Sequence, residues 1–222
     1  MSGARASSRL IVFLADWLVR AFVGVITFLF YPLRVCGREN IPRRGGALFI
    51  SNHVSFVDWL LLTAAAKRPV RFLISRDFYA SLWLKPFIRV ARVIPIPPGL
   101  RPHEVDRALR NCGAAIRNGD IVCVFAEGGI TRTGRLRPFH RGFEKIMRGL
   151  DAPVVPVALA GVWGSIFSFA GGKFFWKWPR RFRRAVTVNF GEPLPSTVTA
   201  DEVHAAVEKL LTADADHRGM NS

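Results

Sequence analysis

Two short stretches hold residue types from which a reaction centre can be built. The first is Asn52-His53-Val54-Ser55-Phe56-Val57-Asp58, which follows an apolar run at 47–51 and opens onto a helical pattern. Histidine takes and returns a proton near neutrality, and a carboxylate bonded to one ring nitrogen fixes which nitrogen is free to do so. The spacing limits how His53 and Asp58 can meet. Five residues along an α-helix set two side chains about 140° apart, on different faces. They come together only if His53 stays in the turn before the helix and folds back onto its first turn. No serine or cysteine is evident as a nucleophile beside them, so such a base would act directly on a hydroxyl of the substrate. A plainer reading stands beside this one, with Asp58 as a charge at a helix start and His53 as a loop histidine.

The second stretch is Glu127-Gly128-Gly129-Ile130-Thr131-Arg132-Thr133-Gly134, directly after an apolar run at 121–125. Glycine lets backbone N–H groups approach an anion closely, and arginine grips phosphate through two parallel hydrogen bonds. Arg135, Arg137, His140, Arg141 and Lys145 add positive field downstream. The stretch reads as a phosphate cradle or, more plainly, as a charged surface loop. It matches neither a Walker loop nor a dinucleotide fingerprint.

The elements that must hold these stretches alternate. Apolar runs predict strands at 47–51, 70–74, 93–96, 121–125, 154–159 and 185–190. Helical patterns fall at 57–66, 81–92, 103–118 and 201–211. That alternation predicts an α/β fold, a mixed and largely parallel sheet flanked by helices. No linker or repeat divides residues 32–212, which read as one domain. An N-terminal helical segment at 1–31 precedes it, and a frayed polar tail at 213–222 follows.

Composition narrows the setting. Of 222 residues, 32 are Lys or Arg and 16 Asp or Glu, a formal charge of +16. Such a field needs an anionic partner. Half the residues are apolar and the mean hydropathy is +0.22, which excludes a disordered tail and leaves apolar surface for something besides the core. Residues 10–31 are strongly apolar, but Asp16 and Arg20 interrupt them and the unbroken run is only 21–31, short for a bilayer span. The pattern predicts a helix or helical hairpin dipping into one leaflet, with a spanning helix or a core helix as alternatives. Residues 163–184 interleave aromatic and basic side chains, a composition suited to a headgroup layer. Nucleic acid is the rival partner for so basic a chain, but no helix-turn-helix, zinc-finger or RRM signature occurs, and no nucleic-acid partner is expected. Cys36, Cys112 and Cys123 are odd in number and widely spaced, which predicts no disulfide framework and a reducing, cytosol-facing setting. No metal-ligand spacing occurs, and no metal site is expected.

Taken together, the blocks resemble the PlsC-type glycerolipid acyltransferases, the 1-acylglycerol-3-phosphate acyltransferase family. That family's first block, N-H-x-S-x-x-D, is matched in full by residues 52–58. Its third, F-P-E-G-T-R-S, is matched by Phe125-Ala126-Glu127-Gly128-Gly129-Ile130-Thr131-Arg132-Thr133, and its fourth by Val154-Val155-Pro156-Val157. The turn at 130–134 and Gly161-Val162-Trp163-Gly164-Ser165 look closer to the 2-acylglycerophosphoethanolamine acyltransferases. The resemblance implies His53 as general base oriented by Asp58, acting on the glycerol hydroxyl of a lysophospholipid. It implies that Glu127, Gly128, Gly129, Thr131 and Arg132 hold the acceptor's phosphate end, with Arg76 helping. The acyl donor would be acyl-CoA or acyl-acyl carrier protein, with no bound cofactor. Membrane phospholipid and lysophospholipid would be its partners, joined by acyl carrier protein if that is the donor. The site of action would be the cytoplasmic face of a membrane, the inner membrane in a bacterium. Ala126 stands where the family has proline, and Pro97-Pro98 fall where the second block ends in a phosphate-binding arginine. The missing arginine points towards a headgroup-bearing lysophospholipid rather than lysophosphatidic acid as acceptor. A catalytically inactive, basic lipid-binding protein of the membrane surface is the alternative class. The intact first block favours the enzyme, because a pure binder has no need of a histidine–carboxylate pair.

Overall fold

The computed structural model describes residues 24–25, 29–75, 93–96, 101–172 and 184–219. Seven strands form one sheet: β1 (Leu33–Cys36), β2 (Ala47–Ser51), β3 (Val70–Ser75), β4 (Ile94–Ile96), β5 (Ile121–Phe125), β6 (Val154–Ala160) and β7 (Val186–Phe190). Their order is β1-β7-β6-β2-β5-β3-β4. Every neighbouring pair is parallel except β6 and β7. The sheet is therefore mixed and largely parallel, as the sequence predicts, with β1 and β7 running against the other five strands.

Burial on both faces explains why the central strands read as unbroken apolar runs. Successive strand residues point to opposite faces. In β2, Ala47 and Phe49 join one core layer while Leu48 and Ile50 join the other. The first layer is closed by helix α1 (Asp58–Ala65), through Leu61, Leu62 and Ala65. The second is closed by α2 (Pro102–Arg117), α3 (Gly142–Met147) and α4 (Ala200–Gly219). In α2, Leu109, Cys112 and Ile116 recur at helical spacing on the buried face. Proline at its first position costs no hydrogen bond there.

Three elements differ from the sequence reading. β1 is an edge strand of four residues with Arg34 in its middle, so it presents no apolar run. α3 has six residues, too few for a periodic signal. α4 runs on to Gly219, through a stretch read as frayed tail. Ala213 and Ala215 are good helix formers, and Asp214 is buried. The helix starts on a capping box. Glu202 accepts from both the Thr199 N–H and hydroxyl at 2.8 Å, and the Glu202 N–H donates back to the hydroxyl at 3.4 Å.

The predicted helix at 81–92, Arg76, Pro97, Pro98 and residues 173–183 lie outside the described residues. Of the segment 1–31, only Gly24, Val25, Leu29, Phe30 and Tyr31 are described. Val25, Leu29 and Phe30 are helical, apolar and exposed. Among the described residues no helix is long and apolar enough to cross a membrane.

Candidate active site

β2, β5 and β6 are parallel, so their C-terminal turns meet at one edge of the sheet, where open α/β sheets place their sites. Asn52 leaves β2 there, buried. Its Nδ2 donates to the Leu159 carbonyl at 3.0 Å, and its Oδ1 accepts from the Leu159 N–H at 2.8 Å. The side-chain amide thus extends the β2–β6 ladder by one rung while the backbone turns away. His53 is gripped from the opposite side. Its N–H donates to Glu127 Oε1 at 2.8 Å, and its carbonyl accepts from the Thr131 N–H at 2.8 Å.

The fold-back demanded by the spacing occurs. His53 sits in the turn, and Asp58 is the first residue of α1, fully buried. Asp58 Oδ2 accepts from His53 Nδ1 at 2.9 Å, the Val54 N–H at 2.6 Å and the Ser55 N–H at 2.9 Å. Its Oδ1 accepts from the Ser55 hydroxyl at 2.6 Å. Backbone N–H groups only donate, so Oδ2 is an acceptor, and the network assigns the ring proton to Nδ1. Nε2 keeps its lone pair. Phe125 stacks on the imidazole at 4.1 Å with 13° between planes, and the side chain stays 18% exposed.

The glycine-rich turn divides into braces and exposed groups. Glu127, expected among the phosphate ligands, is turned inward and is 1% exposed. Its two oxygens take the His53 N–H and the Arg137 N–H, the latter at 3.3 Å. Burial pushes its carboxyl pKa up, against the pull of those two N–H bonds and of the His53 and Arg137 charges. Thr131 is also buried. Its hydroxyl donates to the Arg135 carbonyl at 2.9 Å and accepts from the Thr133 N–H at 3.4 Å, so it closes the turn. Both side chains make hydrogen bonds that shape the turn. Gly128 adopts φ +69°, and a Cβ there would stand 2.8 Å from the His140 ring. The Gly129 carbonyl accepts from Arg137 Nη1 at 3.5 Å. Arg132 is exposed, with its guanidinium carbon 4.5 Å from the centre of the Phe169 ring. Arg76 is not among the described residues.

Residues 161–172 fold over this turn, which no spacing in the sequence signals. Ser168 forms an antiparallel bridge with Ser55, and the Phe56 N–H donates to the Phe167 carbonyl at 3.1 Å. The Phe56 and Phe169 rings lie 6.1 Å apart. Arg184 secures the segment by donating to the Trp163 carbonyl at 2.7 Å. Tyr31 packs beside it, its hydroxyl pKa pushed up to about 12 by burial, against a hydrogen bond with Ser165. The stretch at 163–184 was read as an interfacial segment. Its described part, 163–172 with Arg184, packs on the reaction turn. Among the described residues no three His, Cys, Asp or Glu side chains converge as a metal site.

Comparison with known proteins gives a consistent result. The family model described as Acyltransferase matches residues 32–160. A chloroplastic 1-acyl-sn-glycerol-3-phosphate acyltransferase of Brassica napus is 26% identical over 146 residues, 65% of this chain and 42% of that protein. A 1-acyl-sn-glycerol-3-phosphate acyltransferase of Bacillus subtilis is 24% identical over 190 residues, 85% of each chain. The chain thus spans well under half of the Brassica relative and most of the bacterial one. The crystal structure of the 1-acyl-sn-glycerophosphate acyltransferase of Thermotoga maritima shares the fold. Its TM-score is 0.69 at 20% identity, covering 99% of this chain and 84% of that one.

Proposed function

Because the chain belongs to the acyltransferase family, we propose that it moves a fatty acyl group from an acyl thioester to the free glycerol hydroxyl of a lysophospholipid. One observation carries this reading: His53 Nδ1 is bonded to a buried Asp58 carboxylate, which leaves Nε2 as a base. Nε2 takes the proton of the hydroxyl as its oxygen attacks the thioester carbonyl. The C–O bond forms, the C–S bond breaks, and the imidazolium returns the proton to the departing thiolate. Asp58 stabilises the imidazolium between the two transfers. Glu127 serves by fixing the backbone of His53, and Arg132 is the exposed cation for the acceptor's phosphate.

The names of the relatives support lysophosphatidic acid as acceptor. Pro97-Pro98, where an arginine would be expected, support a headgroup-bearing lysophospholipid instead. Acyl-CoA and acyl-acyl carrier protein both fit the donor role, with no bound cofactor called for. The enzyme rests on the cytoplasmic face of a membrane. Exposed Val25, Leu29 and Phe30 and the +16 charge support that placement.

The test is to incubate liposome-supported protein with palmitoyl-CoA and a panel of lysophospholipids, following free thiol and lipid product. Acceptor-dependent release is expected, and His53→Ala should lower it by about 10²–10⁴-fold. Release that survives the substitution undiminished rules His53 out as the base. If neither palmitoyl-CoA nor palmitoyl-acyl carrier protein is consumed, the protein is a lipid binder instead.

A further inference from the structure

We propose that Phe169 is a positioning residue for Arg132, holding its guanidinium at a fixed place on the turn that follows Thr131 and so setting how tightly the acceptor's phosphate is bound. The inference rests on Arg132 being the phosphate ligand. The guanidinium carbon lies 4.5 Å from the ring centre, within reach of the ring's quadrupole.

Both partners are tied to the reaction turn, by different routes. Arg132 follows Thr131, whose N–H is bonded to the His53 carbonyl at 2.8 Å. Phe169 follows Ser168, which bridges Ser55, and Ser55 holds Asp58 through its N–H and its hydroxyl. The Phe169 carbonyl accepts from the Gly172 N–H at 2.9 Å, which closes a turn at 169–172. The arginine is therefore tethered to His53 through its own backbone and to Asp58 through the phenylalanine.

This geometry suits a phosphate site. An exposed arginine samples many rotamers, and ordering it on a ligand costs side-chain entropy. The ring attracts the cation's charge without supplying a hydrogen-bond acceptor atom, which leaves guanidinium N–H groups for phosphate oxygens. Phe169 thus removes ordering cost without occupying a donor. It acts through Arg132, so its loss belongs in KM for the acceptor and not in kcat.

The experiment measures both constants for lysophosphatidic acid and lysophosphatidylethanolamine at saturating palmitoyl donor. Phe169→Leu and Phe169→Met, which remove the ring, are expected to raise the acceptor KM about three- to tenfold with kcat nearly unchanged. Phe169→Tyr keeps the ring and should keep the wild-type KM. In an Arg132→Ala background Phe169→Met should raise KM no further, because the partner it positions is gone. A fall in kcat at constant KM, or an equal KM rise with and without Arg132, means that the ring merely packs and overturns the inference. An active wild type with KM unmoved in Phe169→Met also overturns it and leaves the function standing. A wild type that transfers nothing from either donor overturns the function and this inference with it.

Discussion

Asp58 and Glu127 are both buried carboxylates in one site, yet they are bonded to different things. Asp58 meets the imidazole, two backbone N–H groups and a hydroxyl, whereas Glu127 meets two backbone N–H groups. Burial raises the Glu127 pKa above its ordinary value of 4.5. Between that value and the raised one, the folded chain holds a proton that the unfolded chain has released. The stability linked to Glu127 is therefore fully present below pH 4.5 and is lost as pH rises through the folded pKa. Glu127→Gln does not titrate, so its urea midpoint should vary less with pH over that window than the wild-type midpoint. Equal slopes would show that another group dominates. The spacing of His53 and Asp58 was legible because an α-helix forbids their contact, which leaves one arrangement. The inward turn of Glu127 was not legible, since its partner His53 lies 74 residues away in sequence.

At the scale of elements, legibility followed burial. β2 and β5 match their apolar runs at 47–51 and 121–125 because both faces of each strand are covered. Among the described residues β1 pairs only with β7, at the sheet's edge, and its Arg34 is exposed, so that face of it asks nothing apolar of the sequence. α3 is held by Phe143, Ile146 and Met147, a tertiary contact that six residues do not announce. The approach of α2 to the start of β2 is equally silent in the sequence. A Cβ on Gly46 would fall 2.0 Å from the Ile116 carbonyl oxygen, so Gly46→Ala must push the end of α2 away. It should destabilise the fold by about 1–3 kcal/mol, read as a lowered denaturation midpoint. An unchanged midpoint would mean that this junction yields without cost.

Across the whole molecule, the proposed membrane placement would use charge and apolar surface together. Each basic residue near an anionic leaflet contributes about 1 kcal/mol, an attraction that salt screens. Exposed Val25, Leu29 and Phe30 contribute by burial, which salt does not weaken. Binding to phosphatidylglycerol vesicles should therefore fall as salt rises from 0.1 to about 1 M but level off above zero, as read by flotation. Complete release at high salt would mean that charge alone holds the protein to lipid. The composition suggests this partner, and the segments that carry the suggestion lie largely outside the described residues.

The braces on His53 carry a consequence in time. A ribosome delivers this histidine 74 residues before Glu127, and delivers its neighbour Asn52 107 residues before Leu159, the partner of that side chain. The segment that bridges Ser55 through Ser168 emerges later still. A nascent chain therefore carries His53 early and without these braces, and the geometry around it is completed only once residue 168 has emerged. On the proposed mechanism, a chain that has not grown past that point holds no braced base.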